Sequence, residues 1–133
     1  MALIVLDAGI IIAVLDGSDA HHETSRAALE RSSEERDRLV LPASAYAEAL
    51  VGPFRRGEAS ANLVDALVDT LPIEIQPISR EIAWEAARLR GGNSGRLRLP
   101  DALVVATAVV LKAEELLTTD HRWPRLAVPV RTV

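Results

Sequence analysis

Along this chain, short unbroken apolar runs alternate with longer stretches in which apolar residues return every three or four positions. ALIVL (2–6), RLVLP (38–42) and ELLTT (115–119) are brief, aliphatic and partly β-branched, and they predict buried strands. VPVRTV (128–133) predicts a short terminal strand. GIIIAVLDGSD (9–19) carries the first strand into a helix stopped by its Asp-Gly-Ser-Asp turn. HHETSRAALERSSEERD (21–37) mixes charge with alanine and leucine at helical spacing, which predicts a surface helix. ASAYAEALVG (43–52) predicts a helix with Ser44 as an early cap and Gly52-Pro53 closing it.

GEASANLVDALVDTLP (57–72) reads as amphipathic, with Leu63, Leu67 and Leu71 on one stripe and Asp65 and Asp69 on another. SREIAWEAARLR (79–90) repeats that pattern around Ile82, Ala86 and Leu89. GGNSGRLRL (91–99) is loop-like and flexible by composition, and Pro100 then opens a helix over LPDALVVATAVVL that leads through a very short connection into the strand 115–119. Strands alternating with helices in this way predict an α/β sandwich around a mainly parallel sheet. The length of 133 residues fits one domain, and the chain shows no repeat, linker or low-complexity tract.

Composition narrows the chemistry. With no cysteine there is neither a disulfide framework nor a thiolate nucleophile, and the three histidines are not spaced as a zinc site. A reducing cytoplasm is the expected setting. The apolar N-terminal stretch lacks a basic leader and carries Asp7, so it reads as structure and not as a signal peptide or membrane span. A formal charge of −4 disfavours broad adhesion to nucleic acid or membranes, and any nucleic-acid contact should be local. At 3%, aromatics are too scarce for a base-stacking platform. Lys112 is the lone lysine among 15 basic residues; the rest are arginine, the better bidentate phosphate ligand.

Carboxylates supply the candidate chemistry. In an open parallel sheet the ligand crevice lies beyond the carboxyl ends of the strands. Asp7 follows the first strand, Asp120 follows a later one, and Glu48 lies in the opening turns of the helix that leaves the second. Asp101 starts a helix that runs antiparallel to the strand after it, so it stands level with that strand's end. Glu48 has no basic neighbour at helical spacing and small residues around it, which leans it toward the interior. Two carboxylates at 4 Å repel by about 4 kcal/mol at an effective dielectric of 20. Such a group stays ionised only around something positive, and hard oxygen donors select Mg²⁺ or Mn²⁺. Other acids, among them Glu30, Asp65, Asp69, Glu81 and Glu85, read as solvated faces. His21, His22 and His121 read as surface residues, and Trp84 and Trp123 as packing or interface residues.

LDAGIIIAVLD, SAYAEAL, LPDALVVATA and LLTTDHRW, in this order across essentially the whole chain, resemble the PIN domain and, more narrowly, VapC-type toxins of bacterial toxin–antitoxin modules. The resemblance implies a PIN-like three-layer sandwich, with four to five short strands in a mainly parallel central sheet flanked by helices, over residues 1–133. It implies a Mg²⁺- or Mn²⁺-dependent endoribonuclease that cleaves RNA through a metal-activated water. Asp7, Glu48, Asp101 and Asp120 match the acidic quartet. It also implies a homodimer inhibited by a cognate antitoxin. Gly9 departs from the family pattern, which often carries Ser, Thr or Asn there; Thr118 or Thr119 could supply the missing hydrogen bond.

Arg96, Arg98 and Thr118 are the candidate substrate contacts, the two arginines because their loop leads to the edge that carries Asp101. Two other classes stay open. One is a catalytically weak or silent PIN-like module that binds RNA or an antitoxin, its site loosened by Gly9. The other is phosphoryl-transfer chemistry with Asp7 as nucleophile, disfavoured because Gly9 stands where a companion aspartate is expected.

Overall fold

A computed structural model describes residues 1–92 and 96–133. The elements in chain order are β1 (Leu3–Leu6), α1 (Ala8–Leu15), α2 (His22–Glu34), β2 (Arg38–Pro42), α3 (Ala43–Arg56), α4 (Glu58–Thr70), β3 (Ile73–Gln76), α5 (Arg80–Gly92), α6 (Leu99–Val110), β4 (Glu115–Thr118) and β5 (Val130–Thr132). The five strands form one sheet in the order β3-β2-β1-β4-β5, and every neighbouring pair is parallel. Fold class and sheet agree with the expectation.

The order reverses at β1. Strands β2 and β3 add on one side of it and β4 and β5 on the other, which opens a crevice beyond the carboxyl ends of β1 and β4. Register is carried by buried aliphatic pairs such as Ile4 with Leu39 and Val5 with Leu116. Leu6, Leu41, Leu116 and Leu117 are fully covered, as strands packed by helices on both faces require. Small residues line the helices that meet the core: Ala45 and Ala49 on α3, and Ala102, Ala106 and Ala108 on α6. Among the described residues no helix is long and apolar enough to cross a membrane.

Several local expectations are corrected. Strand β3 falls in a stretch for which no element is predicted: its four residues are mixed in polarity and lie between Pro72 and Pro77, and it becomes a strand by pairing at the sheet edge with β2. Helix α3 does not close at Gly52-Pro53. It carries the buried Pro53 inside it and ends at Gly57, whose φ of 130° takes the chain out of the helix. Ser44 does not cap it: the Ser44 hydroxyl is buried without a partner and Pro42 occupies the cap position.

On α4 the buried line is Ala61, Val64 and Val68, leaving Leu63 exposed. Glu85 is buried on α5 instead of solvated, and its carboxylate takes three contacts from Arg88, one turn on. Helix α5 extends through Gly91 and Gly92, which shortens the expected glycine-rich loop; the centre of that loop, residues 93–95, lies outside the described residues.

Candidate active site

Asp7 closes β1 and caps α1. Its extended backbone (φ −83°, ψ 157°) turns the chain from strand to helix, and its Oδ1 accepts from the Ala8 amide at 2.8 Å. Its Oδ2 accepts from the Thr118 hydroxyl at the end of β4, also at 2.8 Å. Despite both bonds, burial pushes the Asp7 carboxyl up to about 6, with the charges of Asp101 and Glu48 adding to the rise.

Glu48 lies on α3 beside the buried line of Ala45, Ala49 and Pro53, and so on the flank of the helix. It is exposed, which corrects the expectation that it turns inward. Its carboxyl is nevertheless raised, by desolvation first and by Asp101 second, with Arg98 opposing.

Asp101 occupies the first turn of α6 without capping it. A helix start should favour its ionised form. Burial and the neighbouring charge of Asp120 outweigh that and raise its carboxyl, while Arg98 and Arg122 pull the other way. Asp120 stands two residues past β4, with Thr119 between, and not directly at the strand end. Its carboxylate receives the Arg122 amide at 2.8 Å and the Arg122 guanidinium at two 3.1 Å contacts, which hold it below the usual range.

The fold thus gathers all four predicted acids at the crevice, Asp7 sensing Asp101 and Glu48, Glu48 sensing Asp101, and Asp101 sensing Asp120, although they are spread from position 7 to position 120. A set of hard carboxylate oxygens, three of them pushed up by burial and mutual repulsion, suits a divalent cation. Among the described residues, no group of three or more acid, histidine or cysteine side chains is arranged to hold an ion as it stands. Asp120 is engaged by Arg122, so binding requires that pair to open. Arg122 is 90% exposed, and a bridge that exposed is weak and easily exchanged.

Arg96, Arg98, Asp101, Asp120, Arg122 and Trp123 line a groove of about 290 Å³. Arg98 acts electrostatically on Glu48 and Asp101, Arg96 lines the same groove, and Arg122 joins them. Sequence reasoning missed Arg122, although an aspartate two positions before an amide is the spacing of an Asx turn. Trp123, read as a packing or interface residue, borders the groove and buries an indole N–H that has no partner. Thr118 is fully buried and spent on Asp7 and on the Asp120 amide, so it is an orienting group and not a substrate contact. His121 stacks loosely on His21, ring centroids 5.9 Å apart, and neither shares a hydrogen bond with the four acids.

The family model of the PIN domain matches residues 4–129. No curated protein sequence matches the chain. Among solved structures, VapBC2 from Rickettsia felis bound to a promoter DNA fragment is similar at a TM-score of 0.81 and 16% identity, over 98% of each chain. A toxin–antitoxin complex from Klebsiella pneumoniae is similar at 0.70 and 25% identity, over 88% of this chain and 86% of that one. VapC20 from Mycobacterium tuberculosis, described as a Sarcin-Ricin loop cleaving toxin, is similar at 0.69 and 16% identity, over 85% and 86%. With nearly its whole length matched by the family model, and its sheet and helices shared with these structures, the chain belongs to the PIN domain family.

Proposed function

We propose that this chain is a Mg²⁺- or Mn²⁺-dependent endoribonuclease, the toxin of a toxin–antitoxin pair in the cytoplasm, with Asp7, Glu48, Asp101 and Asp120 as its metal-binding and catalytic acids. The observation that carries this reading is the electrostatic coupling of Asp7 to Asp101 and Glu48 and of Asp101 to Asp120, with Asp7 raised to about 6 by burial first and by those neighbouring charges after it. When bound, a divalent ion supplies charge on the scissile phosphate and an acidified water.

The chain's own residues divide the remaining work. Thr118 fixes the rotamer of Asp7, and Asp101 projects from the first turn of α6 beside it. Glu48, exposed and with its carboxyl raised, is suited to accept a proton from the attacking water. Arg96, Arg98 and Arg122 give the groove a local positive rim for RNA phosphates on a chain of net negative charge. The exposed apolar side chains of Val51, Phe54 and Trp84 support a protein partner, an antitoxin or a second copy of the chain. The tuberculosis match described as an RNA-loop-cleaving toxin and the Klebsiella toxin–antitoxin complex support the same assignment.

A second reading rests on the Arg122–Asp120 pair: a chain whose acid stays bridged would bind RNA or antitoxin without cutting. Incubation of structured RNA with the protein in Mg²⁺, in Mn²⁺ and in chelator separates the two. Metal-dependent cleavage that Asp101→Asn and Glu48→Gln abolish supports the nuclease; retention of RNA without cleavage in either metal supports the binding module.

A further inference from the structure

Gly9 and Thr119 compete for one small volume. Gly9 is the second residue of α1, directly behind the Asp7 cap. A Cβ built on it would lie 2.3 Å from Thr119 Oγ1, far inside any real contact, while the Thr119 Cβ and Cγ2 stay at 3.5 and 3.7 Å. The hydroxyl of Thr119, and not its methyl, therefore fills the space that a side chain at position 9 would take.

Two adjacent threonines thus reach the crevice from the end of β4 with different fates. Thr118 is buried and donates to Asp7. Thr119 is partly exposed, and among the described residues its hydroxyl has no hydrogen-bond partner. It precedes Asp120 in the chain and rests over the turn that Asp7 caps. A free hydroxyl there can donate and accept at once, and small divalent ions keep several of their waters.

We infer that Thr119 is a positioning residue, whose hydroxyl, admitted by Gly9 beside the Asp7 cap, would orient a water of the divalent ion proposed above. The inference rests on the metal-dependent reading. Groups that orient a metal's ligands from outside typically change affinity or activity by about 10- to 100-fold when removed.

The test uses four variants of the full chain: Thr119→Val, Thr119→Ser, Gly9→Ser, and Gly9→Ser combined with Thr119→Ala. Mn²⁺ affinity is read by calorimetry, melting temperature in chelator, and kcat and KM on a structured RNA. Thr119→Val should weaken Mn²⁺ binding about tenfold and lower kcat with KM unchanged, and Thr119→Ser should restore both. Gly9→Ser alone should melt several degrees lower, and the double variant should regain both stability and Mn²⁺ affinity, since its hydroxyl returns from the other side. Thr119→Val with wild-type Mn²⁺ affinity overturns the positioning role, and a Gly9→Ser protein that melts like the wild type overturns the steric exchange. A wild-type chain that neither binds Mn²⁺ nor cleaves RNA defeats the nuclease reading and with it the role of Thr119, while the melting temperatures still decide the exchange.

Discussion

The hydroxyl of Thr118 donates a 2.8 Å hydrogen bond to Oδ2 of Asp7 across 111 positions of sequence, and accepts one from the Asp120 amide at 3.0 Å. One buried side chain ties the ends of β1 and β4 and the two acids that follow them. Thr118→Val should leave the Asp120 amide without its partner and the Asp7 carboxylate without one of its two donors. The expected cost is about 1–3 kcal/mol of stability, read as a lower denaturant midpoint at constant slope. The Asp7 carboxyl should titrate higher still in chelator, as followed by carboxyl NMR signals.

Asp7 itself makes folding pH-dependent. Its carboxyl rises from 3.8 to about 6 on folding, so the folded chain favours the protonated form. The destabilisation is fully present above the folded value and disappears as pH falls through it toward the unfolded one. That difference corresponds to a ceiling of about 3 kcal/mol between protonation states. In chelator, Asp7→Asn should therefore melt above the wild type at pH 7.5, and the gap should close near pH 4. Mn²⁺ should raise the wild-type melting temperature and leave that of Asp7→Asn unmoved; an equal response in both proteins would remove Asp7 from the metal site.

Arg122 stands where a cation is proposed to act. Arg122→Gln should leave the melting temperature nearly unchanged, because the guanidinium is almost wholly in solvent. Mn²⁺ affinity at low ionic strength should tighten a few-fold, since the ion no longer displaces a charge from Asp120 and no longer faces one beside it. Calorimetry in low and high salt checks both parts, the gain shrinking as salt screens the guanidinium.

The two loop arginines are tested through salt. If Arg96 and Arg98 each neutralise one phosphate of a single-stranded segment, replacing both with alanine should reduce the slope of log affinity against log salt by about 1.4. Binding to RNA is measured with Asp101→Asn in the background to prevent cleavage. An unchanged slope would leave both as solvated loop charges.

Much of this arrangement is legible in the sequence. The aliphatic runs mark β1, β2 and β4, since a strand buried on both faces must be apolar throughout. The acids at the ends of those runs mark the crevice, because a parallel sheet sends every such end to one side. Strand β3 escapes such reading: a four-residue edge strand of mixed polarity between two prolines has no pattern of its own, and pairing with β2 is what makes it a strand. Pro53 misleads in the opposite direction, because tertiary packing keeps a proline inside α3 that local rules would place at its end.

Local sequence determined which residues could do chemistry: four carboxylates at strand ends and in the opening turns of helices, with arginines gathered near two of them. Tertiary structure alone decided their electrical state. Burial raised Asp7, burial and then the approach of Asp120 raised Asp101, and Arg122 lowered Asp120, because desolvation and Coulomb forces depend on distances that chain order does not contain. Spatial packing likewise set Thr119 against Gly9, 110 positions away, making the glycine a space for a hydroxyl and not merely the lack of one.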